Sequence, residues 1–262
     1  MYLMDYHHHS RHSFDSTASL EDICQTAIQR GIKEICFTEH YSVNPLAPTF
    51  GHMVFETYIS NIEKCRQRFQ PQLSIKMGIE LCEPHHSREE YHKILSALPI
   101  DFILGSVHNI HNDKLRKVIE EQGENANSLY FSEVYEMIQT ADIDVIAHLD
   151  LIKRYSQNVY GIYDFSKHQD ILTAILEKAI ERQIGIEINT SGLRSSLHET
   201  LPSPQLLRLY KQLGGEILTI GSDSHSAETV GSHLHEAYIL AKECGFSHIY
   251  KFEKRKPIAV EL

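Results

Sequence analysis

A chain of 262 residues, 42% hydrophobic and 23% charged, is long enough to bury the core of one large α/β domain. Its net charge of −10 disfavours nucleic acid as a main partner. No apolar run reaches the roughly 18 residues of a membrane span, and no basic start followed by an apolar stretch reads as a secretory signal.

Strand-like residues begin at once, so the fold is expected to start near Met1. A first strand is predicted over residues 2–6 and a helix over 20–30, opened by Ser19 with Asp22 three positions on. Gly31 closes that helix. A strand over 34–38, a helix over 55–69 and a strand over 73–81 follow, then a helix over 88–98 stopped by Pro99 and a strand over 101–107. The next helix covers 127–140 and the next strand 144–147. Residues 165–182 are predicted to form a long amphipathic helix, with Ile171, Leu172, Ile175, Leu176 and Ala179 on one face. A strand over 185–188, a helix over 204–213, a strand over 216–220, a helix over 231–244 and a short strand near 248–252 complete the series. The basic stretch from Lys251 to Lys256 is expected to be a solvated tail.

Strands alternating with helices predict parallel βαβ units. Seven or eight units fit a (β/α) barrel better than a doubly wound sheet, since no glycine-rich phosphate loop follows the first strand. No linker or repeat divides the chain, so residues 1–262 are expected to be a single domain. Cys24, Cys36, Cys65, Cys82 and Cys244 are odd in number and lack a CxxC pair. That points away from disulfides or thiolate zinc and towards a reducing cytoplasm.

Metal-type ligands recur where the predicted strands stop. His7 and His9 end the first strand, two apart and so on one face, with Asp15 just beyond. His40, Glu80, His108 and His148 end four more, and Asp223 and His225 follow a late one. Each residue alone is more often a core or capping side chain. Their repetition at the barrel end that gathers active sites points to one shared site. Imidazole with carboxylate suits zinc, manganese or iron. Arg154 and Arg194 also follow strand ends, where a forked guanidinium can clamp phosphate oxygens. His12 and His111 are near enough in sequence to touch a substrate.

The segments Asp5-Tyr6-His7-His8-His9, Thr38-Glu39-His40, Gly78-Ile79-Glu80, Gly105-Ser106-Val107-His108, Ala147-His148 and Gly221-Ser222-Asp223-Ser224-His225 resemble the motifs of the polymerase and histidinol phosphatase (PHP) family. Residues 148–155 and 187–194, with Pro202-Ser203-Pro204, are similar to its histidinol-phosphate phosphatase subgroup. The resemblance implies a distorted seven-stranded (β/α) TIM-like barrel holding up to three divalent metals. It implies that His7, His9, Glu80 and Asp223 bind one metal, and that Glu80 bridges to a second held by His108 and His148. Asp15, His40 and His225 would hold a third; some members have histidine where this chain has Asp15.

The implied activity is metal-dependent hydrolysis of L-histidinol phosphate in histidine biosynthesis. Asp223 or a neighbouring histidine such as His225 would relay a proton to the leaving oxygen, and Arg154 and Arg194 would hold the phosphate. The alternatives are another PHP phosphoesterase, acting on protein phosphotyrosine or nucleotides, and a non-enzymatic metal-storage protein. The expected partner is a small phosphomonoester, with no nucleic acid and no membrane.

Overall fold

The computed structural model describes residues 2–262; Met1, near which the fold was expected to start, lies outside them. The elements run β1 (Met4–His8), α1 (Leu20–Gln29), β2 (Glu34–Tyr41), α2 (Phe55–Phe69), β3 (Ser74–Cys82), α3 (Arg88–Leu95) and β4 (Phe102–Ser106). A small hairpin, β5 (Asn109–Ile110) and β6 (Asp113–Lys114), leads into α4 (Leu115–Gln122) and α5 (Asn125–Thr140). Then come β7 (Val145–Ile146), α6 (Ile152–Ser156), α7 (Phe165–Glu181), β8 (Gly185–Asn189), α8 (Pro204–Gln212), β9 (Leu218–Gly221), α9 (Leu234–Glu243), β10 (His248–Glu253) and β11 (Lys256–Glu261).

Seven strands make one sheet in the order β1-β2-β3-β4-β7-β8-β9, each neighbouring pair parallel. The sheet curls into a nearly closed barrel, as the alternation predicts. Its two edges meet where Asp223 N–H donates to the His7 carbonyl (2.9 Å) and His9 N–H to the Ser224 carbonyl (2.8 Å). Below this seam the Asp5 carboxylate accepts from the backbone N–H groups of Ser222 (2.7 Å) and Gly231 (2.9 Å). A buried carboxylate satisfied this way fixes the first strand against the last.

Helix starts follow capping chemistry. Ser19 accepts from Asp22 N–H, Asp164 from Ser166 N–H and Ser203 from Leu206 N–H. The apolar faces pack on the barrel: of the expected α7 face, Leu172, Ile175, Leu176 and Ala179 are buried, while Ile171, at its edge, is only partly buried against the core.

The terminal basic stretch is not a solvated tail. β10 and β11 pair antiparallel and close the barrel's N-terminal end. Phe252 packs on Phe102 (ring centroids 4.8 Å apart), which packs on Tyr6 (5.2 Å). Arg255 donates to Asp142 (2.8 Å) and to Asp144 (3.0 Å), the latter just before β7. Lys251 and Arg255 in that stretch meet carboxylates at the feet of the strands, Glu34 for the first and Asp142 and Asp144 for the second. Local hydropathy does not reveal these partners.

Candidate metal centre

The opposite end of the barrel carries the strand-end ligands. His7 and His9 project to the same face and His8 turns away beside Asp5 (3.2 Å), as β alternation requires. Glu80 is central and fully buried. Its Oε2 lies 3.2 Å from His7 Nε2, 3.3 Å from His9 Nε2 and 3.0 Å from His40 Nδ1. Its Oε1 faces the other way, 3.1 Å from His148 Nε2 and 3.6 Å from His108 Nε2. One carboxylate therefore addresses two ligand groups, as a bridge must.

Asp223 Oδ1 lies 3.6 Å from His7 Nε2 and 3.4 Å from His9 Nε2. Asp15 Oδ2 lies 3.3 Å from His225 Nε2 and 3.5 Å from His40 Nε2. The His9 ring stacks on both His40 and His225, with centroids 4.2 Å away in each case. All nine residues singled out as ligands in the sequence thus converge. The structure also brings the donor atoms of His9, His40 and His225 within 4.8 Å of one another, so His9 faces two ligand groups and not one.

The donor set fits cations on protonation grounds. His7 Nδ1 meets the Glu187 carboxylate at 2.7 Å, which fixes the proton on Nδ1 and leaves Nε2 with a bare lone pair. His9 Nδ1 meets Ser13 Oγ at 3.1 Å. Ser13 Oγ spends its own proton on Glu39 (2.6 Å), so it accepts from His9 and leaves that Nε2 bare too. These two Nε2 atoms are 3.0 Å apart. In the neutral tautomers these two lone pairs face each other among carboxylate oxygens, an arrangement that a cation between them would satisfy.

The electrostatics agree. Burial would push the Glu80 and Asp223 carboxyls up, but the surrounding imidazoles outweigh it and hold both well below the usual carboxylate range. Burial, aided by His148 and His40, pushes His108 down to about 3 despite Glu80, so its imidazole is neutral and free to ligate. Burial also opposes charge on His7, yet Glu187, Asp223 and Glu80 raise it well above its ordinary value. That shift registers a strongly negative field at the spot where the lone pairs meet.

Backbone strain marks the same place. His148 (φ 32°), Asp223 (φ 52°) and Glu83 (φ 44°) occupy the left-handed region that non-glycine residues avoid. Glu83 uses its turn to accept from the N–H groups of His108 (2.6 Å) and Asn109 (2.9 Å), fixing the segment that carries the ligand.

A cavity of about 380 Å³ opens above the centre. Asp15, His40, His108, His148, Asp223 and His225 are in its wall, with Lys114, Arg116, Arg154 and Tyr155 opposite. Arg154 is 3.8 Å from Asp223 Oδ2 and also donates to Ser191. Arg194 is not in the wall; it donates to the Asp223 carbonyl at 3.2 Å and so braces the strained ligand from behind. His12 is also outside, against Asn61 (3.1 Å) and Tyr58. His111 points to Glu133, away from the cavity.

Sequence reasoning missed Glu187, Ser13 and Glu83, which position ligands, and Lys114 and Arg116. The signal for Glu187 was weak: a carboxylate in an otherwise apolar strand, where a buried charge requires a partner.

The family model described as PHP domain matches residues 5–191. The chain is 29% identical over 258 residues to the histidinol-phosphatase of Lactococcus lactis, spanning 97% of this chain and 95% of that protein. It is 25% identical to the histidinol-phosphatase of Bacillus subtilis, over 86% of this chain and 93% of that one. The crystal structure of the Lactococcus lactis histidinol phosphate phosphatase, complexed with zinc, L-histidinol and phosphate, superposes with a TM-score of 0.90 at 28% identity, covering 98% of each chain. The strand-end ligands, the barrel that gathers them and the matched motifs have one explanation: the chain belongs to the PHP domain family.

Proposed function

We propose that this protein is a metal-dependent phosphomonoesterase that hydrolyses L-histidinol phosphate to L-histidinol and phosphate, a step of histidine biosynthesis. The observation that carries the reading is the two-sided coordination around Glu80, set in the floor of a cavity of small-molecule size. The relatives with this name and the zinc, histidinol and phosphate bound by the Lactococcus lactis enzyme support the choice of substrate.

His7, His9, Glu80 and Asp223 would hold one metal, Glu80, His108 and His148 a second, and Asp15, His40 and His225 a third. Bound divalent ions would supply Lewis-acid charge and a water acidic enough to ionise near neutral pH. The chain's own residues do the rest. Arg154 faces the cavity with a buried Nε that has no protein partner, and we assign it the phosphate oxygens. Arg194 positions Asp223 instead of touching substrate. Asp223 is held ionised and so cannot donate a proton. The leaving alkoxide takes its proton from a cavity-wall histidine, and His225 serves only in the form that does not hold the third metal, because a ligating imidazole has given up that proton. Burial lowers the His225 imidazole, but Asp15 and Asp223 raise it above its ordinary value.

The single-domain organisation and a cytoplasmic setting belong to the same proposal. They are supported by one continuous buried core and five free, buried cysteines. Among the described residues no helix is long and apolar enough to cross a membrane. Phosphate release from L-histidinol phosphate, phosphotyrosine and a nucleoside monophosphate, each with added zinc, manganese or iron, tests the proposal. A preference of about a hundredfold or more for histidinol phosphate is expected. Equal, slow release from all three would defeat it.

A further inference from the structure

A second cluster of ligand-type side chains lies outside the cavity. His85 Nε2 and His86 Nε2 lie 2.9 Å and 2.7 Å from the same oxygen, Oε1 of Glu133. His111 Nε2 lies 3.8 Å from the other oxygen, Oε2. His85 and His86 are on the turn that follows β3, Glu133 is on α5, and His111 is at the tip of the β5–β6 hairpin. Three separate parts of the chain meet at one carboxylate.

We infer that His85, His86, Glu133 and His111 form a separate zinc-type site that pins the β5–β6 hairpin to α5. Glu133 is 1% exposed, and among the described residues its only charge partners are these three imidazoles; no lysine or arginine pairs with it. If the imidazoles are neutral, a buried carboxylate has no countercharge. If both His85 and His86 are charged, two cations sit with ring centroids only 4.1 Å apart. A single charged imidazole balances Glu133 but leaves the other ring as a neutral donor only, whereas a divalent ion engages both rings and the carboxylate at once.

The dimensions suit it. Ligand atoms about 2.0–2.1 Å from zinc in a tetrahedron lie about 3.3 Å from one another. His85 and His86 approach Oε1 at 2.9 and 2.7 Å, slightly inside that value, and His111 approaches Oε2 at 3.8 Å, slightly outside it, so small side-chain shifts would admit an ion. Three imidazoles and a carboxylate are a donor set for zinc, and unsuitable for magnesium or calcium. The Nδ1 of His85 is buried without a partner, so that ring is anchored through Nε2 alone. His111 reaches the cluster from a left-handed backbone (φ 47°), a conformation ligation would offset.

His85, His86 and Glu133 bring their donor atoms within 4.8 Å of one another, and the exposed His111 ring, drawn in from 3.8 Å, would complete four protein ligands and leave no position for substrate, so the role is structural. The hairpin starts at Asn109, next to His108, and Glu83, which fixes the backbone of both, is two residues before His85. The site therefore braces the segment carrying His108 without taking part in the chemistry.

The test is zinc stoichiometry and affinity of the full chain, read by competition with a chromophoric chelator and by elemental analysis. The wild type is expected to hold one more tightly bound zinc than the double variant His85→Ala/His86→Ala, whereas His108→Ala retains that extra ion. Equal zinc content in wild type and the folded double variant overturns the site. His111→Ala is a second, milder test, because this side chain is 73% exposed and its loss leaves the core intact. It should weaken the extra zinc about tenfold or more. An unchanged affinity for it overturns the site even if the double variant fails to fold.

Discussion

Glu187 accepts from His7 Nδ1 at 2.7 Å and from the backbone N–H of His148 at 3.0 Å, so one carboxylate outside the ligand set aims ligands from two strands. Asn189 Nδ2 bonds the same carboxylate (3.1 Å) and Asp223 (3.3 Å), extending the brace to a third ligand. Glu187→Gln keeps the shape but loses the charge that fixes the His7 proton on Nδ1. Metal affinity should fall about 10- to 100-fold, with activity partly restored by excess metal. Chelator titration checks this; an unchanged affinity would remove Glu187 from the positioning role.

Gly221 makes that brace possible. A Cβ there would stand 2.3 Å from Glu187 Oε1 and 2.3 Å from His7 Cβ. Gly221→Ala should therefore destabilise the fold by about 1–3 kcal/mol and lower metal content as well. Thermal unfolding with parallel metal analysis is the measurement. A fully loaded variant of wild-type stability would show that the two strands can yield.

His108→Ala removes a neutral ligand on the Oε1 side of Glu80. Phosphate release from histidinol phosphate should drop on the order of a hundredfold or more, with loss of metal from that side only. Full activity with full metal content would sink the two-sided scheme.

At the far end, Arg255 gives a pH-dependent prediction. Its hydrogen bonds hold the Asp142 carboxyl below its ordinary value, so their stabilisation is present above about pH 4 and lost as pH falls through the folded value. Asp144 behaves oppositely: burial raises its carboxyl despite Arg255, so it costs stability at neutral pH and relaxes on protonation. Arg255→Met strands the buried Asp144, while the exposed Asp142 adds little, and should cost about 2 kcal/mol at pH 7 and clearly less at pH 3. Urea unfolding of variant and wild type at both pH values checks the sign; an equal cost at each would refute the pairing.

The barrel and its ligands were legible because strand periodicity and strand-end residues are local signals, and closure brings those ends together whatever lies between. The segment from Asn109 to Gln122 was not. Its hairpin strands are two residues each, and α4 has no side-chain cap, with Lys114 at its start. α6 has five residues, too few for a periodic stripe to emerge. α3 ends at Leu95, three residues before the expected end at Leu98, because Ser96 to Leu98 turn down towards β4. Among the site residues, the ligands announced themselves by type and place. Glu187, Ser13 and Glu83 act through partners up to 180 positions away, and nothing near them in the chain marks those partners.

The seam between β1 and β9 is fastened at its upper end by backbone bonds of His7, His9 and Asp223, all three of them ligands. His7 and His9 precede Asp223 by more than 210 positions. A growing chain therefore cannot assemble the first ligand group until the segment carrying Asp223 has emerged, so metal capture waits on the whole stretch between them. The same span makes the group a long-range contact whose loop entropy must be met before metal binding can repay it.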